Sequence, residues 1–235
     1  MSAIRRLRPH LELVPMPLRH IVYARQKPFK HVYFPTTAAV SLVSGPQRGH
    51  SAEVGIIGNE GMLGTALLMD DADAACAAIV QCGGAAYRLR IEALRAECER
   101  SRVVLQLLLR YMQALQMQTA QTALCNRHHS VIQQLCRRML LILDRAAVDG
   151  IAATHAQMAE RLGVRRPTVT LAAAELRKAG LIAYNRGLIT VLDRSGLAAR
   201  SCECYETVKR HTDRLVPMRI RLPIARARAK LAAQD

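Results

Sequence analysis

The sequence predicts an α+β chain of three parts in series: an antiparallel β-roll, one long helix, and a small helical domain ending in a β-hairpin. Three observations carry this. Short β-rich runs broken by turn residues occupy roughly residues 12–90. A stretch free of Gly and Pro then runs from Ser101 to Arg127. Beyond it, two short helical patterns meet at Gly163 and lead into a hairpin pattern.

The roll is read from its punctuation. "HVYFP" and "AVSLVS" are β-rich, "SGPQRGHS" is a loop, and "AEVGIIG" is a further strand. "CAAIVQ" and "AAYRLR" flank a Cys82-Gly83-Gly84 turn. So many short strands in one segment predict an antiparallel, jelly-roll-like roll or a small barrel over residues 1–100. Inside it, "GNEGMLGTALLMDDADAACAAIV" has the close glycines and following apolar strand of a phosphate cradle. Yet no Lys or Arg lies between Arg48 and Arg88 to hold a phosphate.

Along Ser101–Arg127, Val104, Leu108, Met112, Leu115 and Thr119 recur at helical steps, with Leu105, Tyr111 and Leu124 beside them. A helix this long, joining two domains, cannot cover its whole apolar seam within one chain. Residues 101–127 are therefore expected to dimerise through Val104, Leu108, Tyr111, Met112 and Leu115. "NRHHS" interrupts the pattern, with Asn126 and Ser130 as cap candidates, and marks the hinge to a domain over residues 128–200. His128 and His129 are adjacent, so a helix would point them about 100° apart, a poor metal pair.

The most informative stretch is "THAQMAERLGVRRPTVTLAAAELRKAGLI". Thr154 with Gln157 makes a capping-box pattern, and Thr154 is also expected among the DNA-facing residues. Met158, Ala159 and Leu162 form the inner face of a short helix that Gly163 ends, and Val164 fills the corner. A second helix starts near Arg166, tolerating Pro167 in its first turn, and buries Val169, Ala173, Leu176 and Ala179. Two short helices about a glycine turn, the second with a basic start, describe a helix-turn-helix. Arg165, Arg166, Thr168, Thr170 and Arg177 are free to face outward; Arg can bridge guanine O6 and N7, and Thr can bond a phosphate or touch a thymine methyl. "LIAYNRGLITVLD" follows as a hairpin with Arg186 at its tip, which makes the domain a winged helix.

Charge agrees with that placement. The 235-residue chain carries a formal net charge of +16, of which +9 falls in residues 151–235 against +3 in residues 1–100. A polyanionic partner at the C-terminal end follows, double-stranded DNA. Aromatics make up only 3% and Trp is absent, which argues against binding single strands by base stacking. The segment 201–235 reads as a basic tail that adds phosphate contacts. No apolar run is long enough for a membrane span or a signal peptide, so a cytoplasmic protein with reduced thiols at its seven cysteines is expected.

With those residues in view, the chain resembles the Crp/Fnr superfamily of bacterial transcription regulators over nearly its whole length. The resemblance rests on "HVYFPTTAAVSLVS", "EVGIIGNEGMLG", the long helix, "GVRRPTVTLAAAELRKAGLI", "GLITVLDRSGL" and "SCECY". It implies a cyclic-nucleotide-binding-like roll, a dimerising helix, and a winged helix that reads a pseudo-palindromic operator as a homodimer and acts on RNA polymerase. It also implies that Arg166 pairs with guanine, that Thr168 contacts phosphate, and that Thr170 stands where cyclic-AMP-type members carry a second base-reading Arg. The leading helix of relatives is expected to be missing or short.

The departures bear on the ligand. Nucleotide-binding members pair Gly-Glu with Arg-Ser or Arg-Thr about ten residues later, Glu for the ribose and Arg for the phosphate. Here Gly61 precedes Met62, and Ala74-Ala75 stand where Arg-Ser belongs. The cassette is expected to be degenerate and the regulator independent of cyclic nucleotide, with its effector unknown and no cofactor or metal assigned. A sensor of cyclic nucleotide or an apolar ligand is the alternative. The iron–sulfur branch is a poor match, because the first cysteine is Cys76. Cys202 and Cys204, with His211 nearby, are read as ordinary thiols over a metal or redox pair. A cupin-type metal enzyme would need His31, His50, Glu53 and Glu60 to converge; the expectation is no enzyme.

Overall fold

The computed structural model describes residues 3–45, 51–71, 73–146, 148 and 150–216. A short helix, α1 (Ala3–Leu7), precedes seven strands: β1 (Glu12–Met16), β2 (Ile21–Tyr23), β3 (His31–Pro35), β4 (Ala39–Ser44), β5 (Ala52–Ile57), β6 (Ala77–Cys82) and β7 (Gly84–Arg90). They form two antiparallel sheets, ordered β1-β7-β3 and β2-β6-β4-β5. The predicted turn at Gly83 passes the chain from one sheet to the other. Met16, Val40, Ile57, Leu63, Ala78 and Val80 fill the space between them. A leading helix is thus present, though only five residues long.

After α2 (Ile91–Arg100) comes α3 (Arg102–His128), one residue from the predicted bounds at each end. Its buried face is the one expected to meet a partner, and the roll of the same chain covers it. Leu108, Tyr111, Ala114, Gln118, Thr122 and Cys125 are buried. Leu108 and Tyr111 join Val32, Met62, Leu89 and Leu94 in a cluster with the roll, and Val104 and Leu115 pack against it. Of the five residues assigned to dimer contact, Val104, Leu108, Tyr111 and Leu115 therefore form a seam within the chain. Met112 is only half-buried. Periodicity reveals that a helix has an apolar face, but not which body covers it. A second stripe runs along the outer side of α3 through Leu105, Leu109, Met112, Gln116, Thr119 and Ala123, at alternating steps of four and three. All but Met112 are exposed.

Ser130 starts α4 (Val131–Arg145) with a complete capping box to Gln133. Asn126, the other cap candidate, lies inside α3. Next come β8 (Gly150–Ala152), α5 (His155–Leu162), α6 (Arg166–Lys178), β9 (Ile182–Asn185) and β10 (Leu188–Val191), the strands pairing in the order β8-β10-β9. Leu135, Met139, Ile142, Met158, Leu176 and Ile189 centre the core of this domain. After α7 (Arg194–Arg200), α8 (Cys204–Leu215) returns to pack along α3, burying Cys204, Tyr205, Val208 and Thr212. The expected tail thus begins as a packed helix, and residues 217–235 lie outside the described residues. Among the described residues no helix is long and apolar enough to cross a membrane.

The roll and the C-terminal domain share a core: Ala39, Ile56 and Cys82 belong to the same cluster as α4. Two buried ion pairs cross that contact. Arg138 Nε and Nη2 donate to the two Glu53 oxygens at 3.0 Å each, and Nη2 also reaches Gln81 Oε1 at 2.9 Å. Ser41 donates a further bond to Glu53. Arg145 Nε donates to Glu60 Oε1 at 2.7 Å, and Glu60 Oε2 accepts from the Gly58 N–H at 3.1 Å. Removing one partner strands a buried charge, at about 3–5 kcal/mol. Arg138→Ala should therefore lower stability by about that amount in urea unfolding, and Glu53→Gln combined with Arg138→Met should recover much of the loss.

Candidate nucleic-acid interface

The reading head is built from caps and one turn. Thr154 Oγ1 accepts from the Gln157 N–H at 3.2 Å while Gln157 Oε1 accepts from the Thr154 N–H at 2.9 Å, closing the predicted box. Gly163 adopts φ +67°, a left-handed geometry that a side chain would strain. The chain then reverses into α6, whose first turn holds Pro167. Val169, Ala172, Ala173 and Leu176 are buried. Ala179, expected in that stripe, is exposed, and Ala172 takes its place.

Arg165, Arg166, Thr168, Thr170 and Arg177 are all exposed, as expected of an outward face. Thr170, however, is engaged within the domain. Its hydroxyl donates to the Arg166 carbonyl at 3.1 Å and so accepts from His155 Nδ1–H, also at 3.1 Å. His155 stacks on Tyr184 with ring centroids 4.5 Å apart, linking the start of α5, the recognition helix and the wing. Burial, aided by nearby Arg166, holds its imidazole below the usual range, which favours this neutral form. Leu171, in the middle of α6, is 73% exposed. A leucine in an amphipathic helix reads as core, so composition alone does not mark this position. Only its register, two residues after buried Val169, places it outward.

At the wing, Arg186 and Gly187 join β9 to β10 with φ +46° and +83°. Two central residues of positive φ make the tight turn that matches strand twist. A left-handed Arg costs about 1–2 kcal/mol. The strain holds the guanidinium at an exposed tip on the same domain as α6.

The roll cassette is closely filled by its own side chains. Met62 and Ala74 are buried, and Ala75 is exposed. Gly61 lies so close beneath Tyr111 that a Cβ there would enter the ring, and the Tyr111 hydroxyl donates to the Met62 carbonyl at 2.9 Å. The space between Glu60, Tyr111, Gln118 and Arg145 is about 10 Å³. A neighbouring cleft lined by Phe34, Asn59, Gly61 and Tyr87 holds about 200 Å³, below the few hundred Å³ (about 300 or more) usual for small-molecule sites. Glu53 and Glu60, two donors of a cupin-type centre, are committed to Arg138 and Arg145. His50 lies outside the described residues.

The cysteines depart from expectation. Cys202 and Cys204 meet Cys125 and His129, not His211. Cys125 and His129 stand more than seventy positions earlier, and the signal for the grouping was the C-x-x-x-H spacing at the hinge followed by C-x-C beyond the wing.

With this geometry established, residues 130–200 match the Crp-like helix-turn-helix domain. The FixK2 structure from Bradyrhizobium japonicum is similar with a TM-score of 0.66 at 16% identity, covering 82% of this chain and 98% of that one. A CRP-family transcriptional regulator from Thermus thermophilus gives 0.67 at 16%, covering 80% and 96%. The c-di-GMP-responsive global regulator CLP of Xanthomonas campestris gives 0.63 at 14%, covering 81% and 98%. No curated protein sequence matches the chain significantly. Residues 130–200 thus carry a Crp-like helix-turn-helix domain, and the chain as a whole shares the fold of these solved structures.

Because Thr154 is engaged as a cap, Thr154→Ala should destabilise the protein by about 1 kcal/mol in thermal or urea unfolding. Thr154→Ser should restore it.

Proposed function

We propose that the protein binds double-stranded DNA as a homodimer on a pseudo-palindromic operator and regulates transcription through RNA polymerase without requiring a cyclic nucleotide. The observation that carries this is the exposed Arg165–Arg166 start of α6, set beside the Arg186 wing on a Crp-like domain. In the major groove Arg166 reads guanine, Leu171 offers apolar contact to a thymine methyl, and Arg165, Thr168 and Arg177 face phosphates. Arg186 reaches the flanking backbone. A cytoplasmic location follows from this partner.

Dimerisation uses the outward stripe of α3, Leu105, Leu109 and Met112 with Gln116, Thr119 and Ala123. The heptad spacing and the exposure of the two leucines support it. Independence from cyclic nucleotide is supported by Tyr111 over Gly61 and by the commitment of Arg145, a buried cation at the cassette, to Glu60. A phosphate there would forgo charge-assisted bonds.

Selection from random DNA should yield two half-sites about one helical turn apart. Arg166→Ala should cost about 1–3 kcal/mol and relax discrimination at one base pair per half-site. Binding by the variant with undiminished preference would refute the assignment. Leu105→Glu with Leu109→Glu should give monomers in sedimentation and lose operator affinity. Arg186→Gly should leave the melting temperature unchanged or raised, since it relieves a strained φ, yet reduce the salt slope of binding by about 0.9 for a lost phosphate contact. Calorimetry with cyclic AMP and cyclic GMP should detect no binding; a micromolar dissociation constant would overturn the ligand reading.

A further inference from the structure

Where α3 ends, Cys125, His129, Cys202 and Cys204 bring three sulfurs and a ring nitrogen within 4.8 Å of one another. Cys125 Sγ lies 3.5 Å from Cys202 Sγ, and Cys204 Sγ lies 3.4 Å from His129 Nδ1. We propose that these four residues form a tetrahedral Cys3His site for a single zinc ion, which fastens the end of the long helix to the α7–α8 junction.

The distances suit one ion. Zinc bonds of about 2.3 Å to sulfur and about 2.0–2.1 Å to nitrogen, arranged tetrahedrally, set their donors about 3.5–3.8 Å apart. An iron–sulfur cluster would need its ligands spread around several metal atoms, wider than this group stands. The outer contacts are those a zinc site uses. His129 turns Nδ1 inward while Nε2 meets Glu203 Oε1 at 3.1 Å, so the carboxylate fixes the ring. Gln121 Nε2 donates to Cys204 Sγ at 3.0 Å, a bond that suits a thiolate.

A separate observation points to negative charge here. Arg137 is 6% exposed and within electrostatic reach of Cys125, Cys202 and Cys204. It donates to Thr122 Oγ1 at 2.8 Å, and its buried Nε has no partner among the described residues. A buried guanidinium beside three neutral thiols would be uncompensated. Three thiolates and a zinc ion carry a net charge of −1, which balances it. On binding, the three thiol protons leave to solvent while His129 contributes a lone pair.

Elemental analysis of the full-length protein should find one zinc per chain, kept by Cys98→Ser outside the cluster and lost by Cys204→Ser and His129→Ala. Chelation should lower the melting temperature, and zinc should restore it. Since the variants could simply misfold, cobalt(II) added to chelator-stripped wild-type protein provides an independent reading. Thiolate-to-cobalt charge transfer with tetrahedral d–d bands at one equivalent is expected. Three results would overturn the proposal: stripped protein with unchanged helical circular dichroism and no such bands, a native Cys125–Cys202 disulfide, or iron with stoichiometric sulfide.

Discussion

The fold turns on two buried ion pairs between the roll and α4. Glu53–Arg138 and Glu60–Arg145 place four charges in a region that excludes water, so neither side can retreat without stranding one. The carboxylates come from β5 and the glycine turn after it; the guanidiniums come from the first helix of the Crp-like helix-turn-helix domain. The cassette and the reading head are therefore coupled through named atoms. Asn59 N–H donating to the Arg145 carbonyl at 3.2 Å draws the turn tighter against the end of α4.

The cassette itself is closed by contacts within the chain. Glu60 of the glycine turn is held by Arg145 from α4. Where a ligand would lie under the long helix, the Tyr111 ring covers Gly61 and holds the Met62 carbonyl. The contact continues toward the helix-turn-helix: Ser51 donates to Glu160 on α5 at 2.8 Å, and a side chain at Gly163 would come within 3.8 Å of Ala52. A shift of β5 would be felt at the helix-turn-helix directly.

The long helix serves three bodies at once. Its inner face closes the roll, its outer heptad stripe faces solvent, and its last turn brings Cys125 and His129 to the segment that follows the wing. α8 secures this by lying along α3, with Tyr205 donating to Asp144 Oδ2 at 3.0 Å. One element thus carries the roll core, the proposed dimer contact and the proposed metal staple, which ties any change in one to the geometry of the others.

Much of this was legible along the chain. The strands HVYFP and AVSLVS, the bounds of α3, the Thr154 and Ser130 caps, the Gly163 turn and the Arg186 wing all follow from local chemistry, which depends on neighbours within a few positions. The exposed arginines of α6 follow from its period. What the sequence could not decide were pairings across long separations. It could not tell which of two apolar faces of α3 meets the roll, because both share the helical period. It could not show that Thr170 bonds His155 and leaves Leu171 outermost, that Glu53 and Glu60 find arginines 85 positions away, or that Cys125 and His129 meet Cys202 and Cys204. Local propensity is set by adjacent residues, whereas burial and charge pairing are set by whatever the folded chain brings alongside.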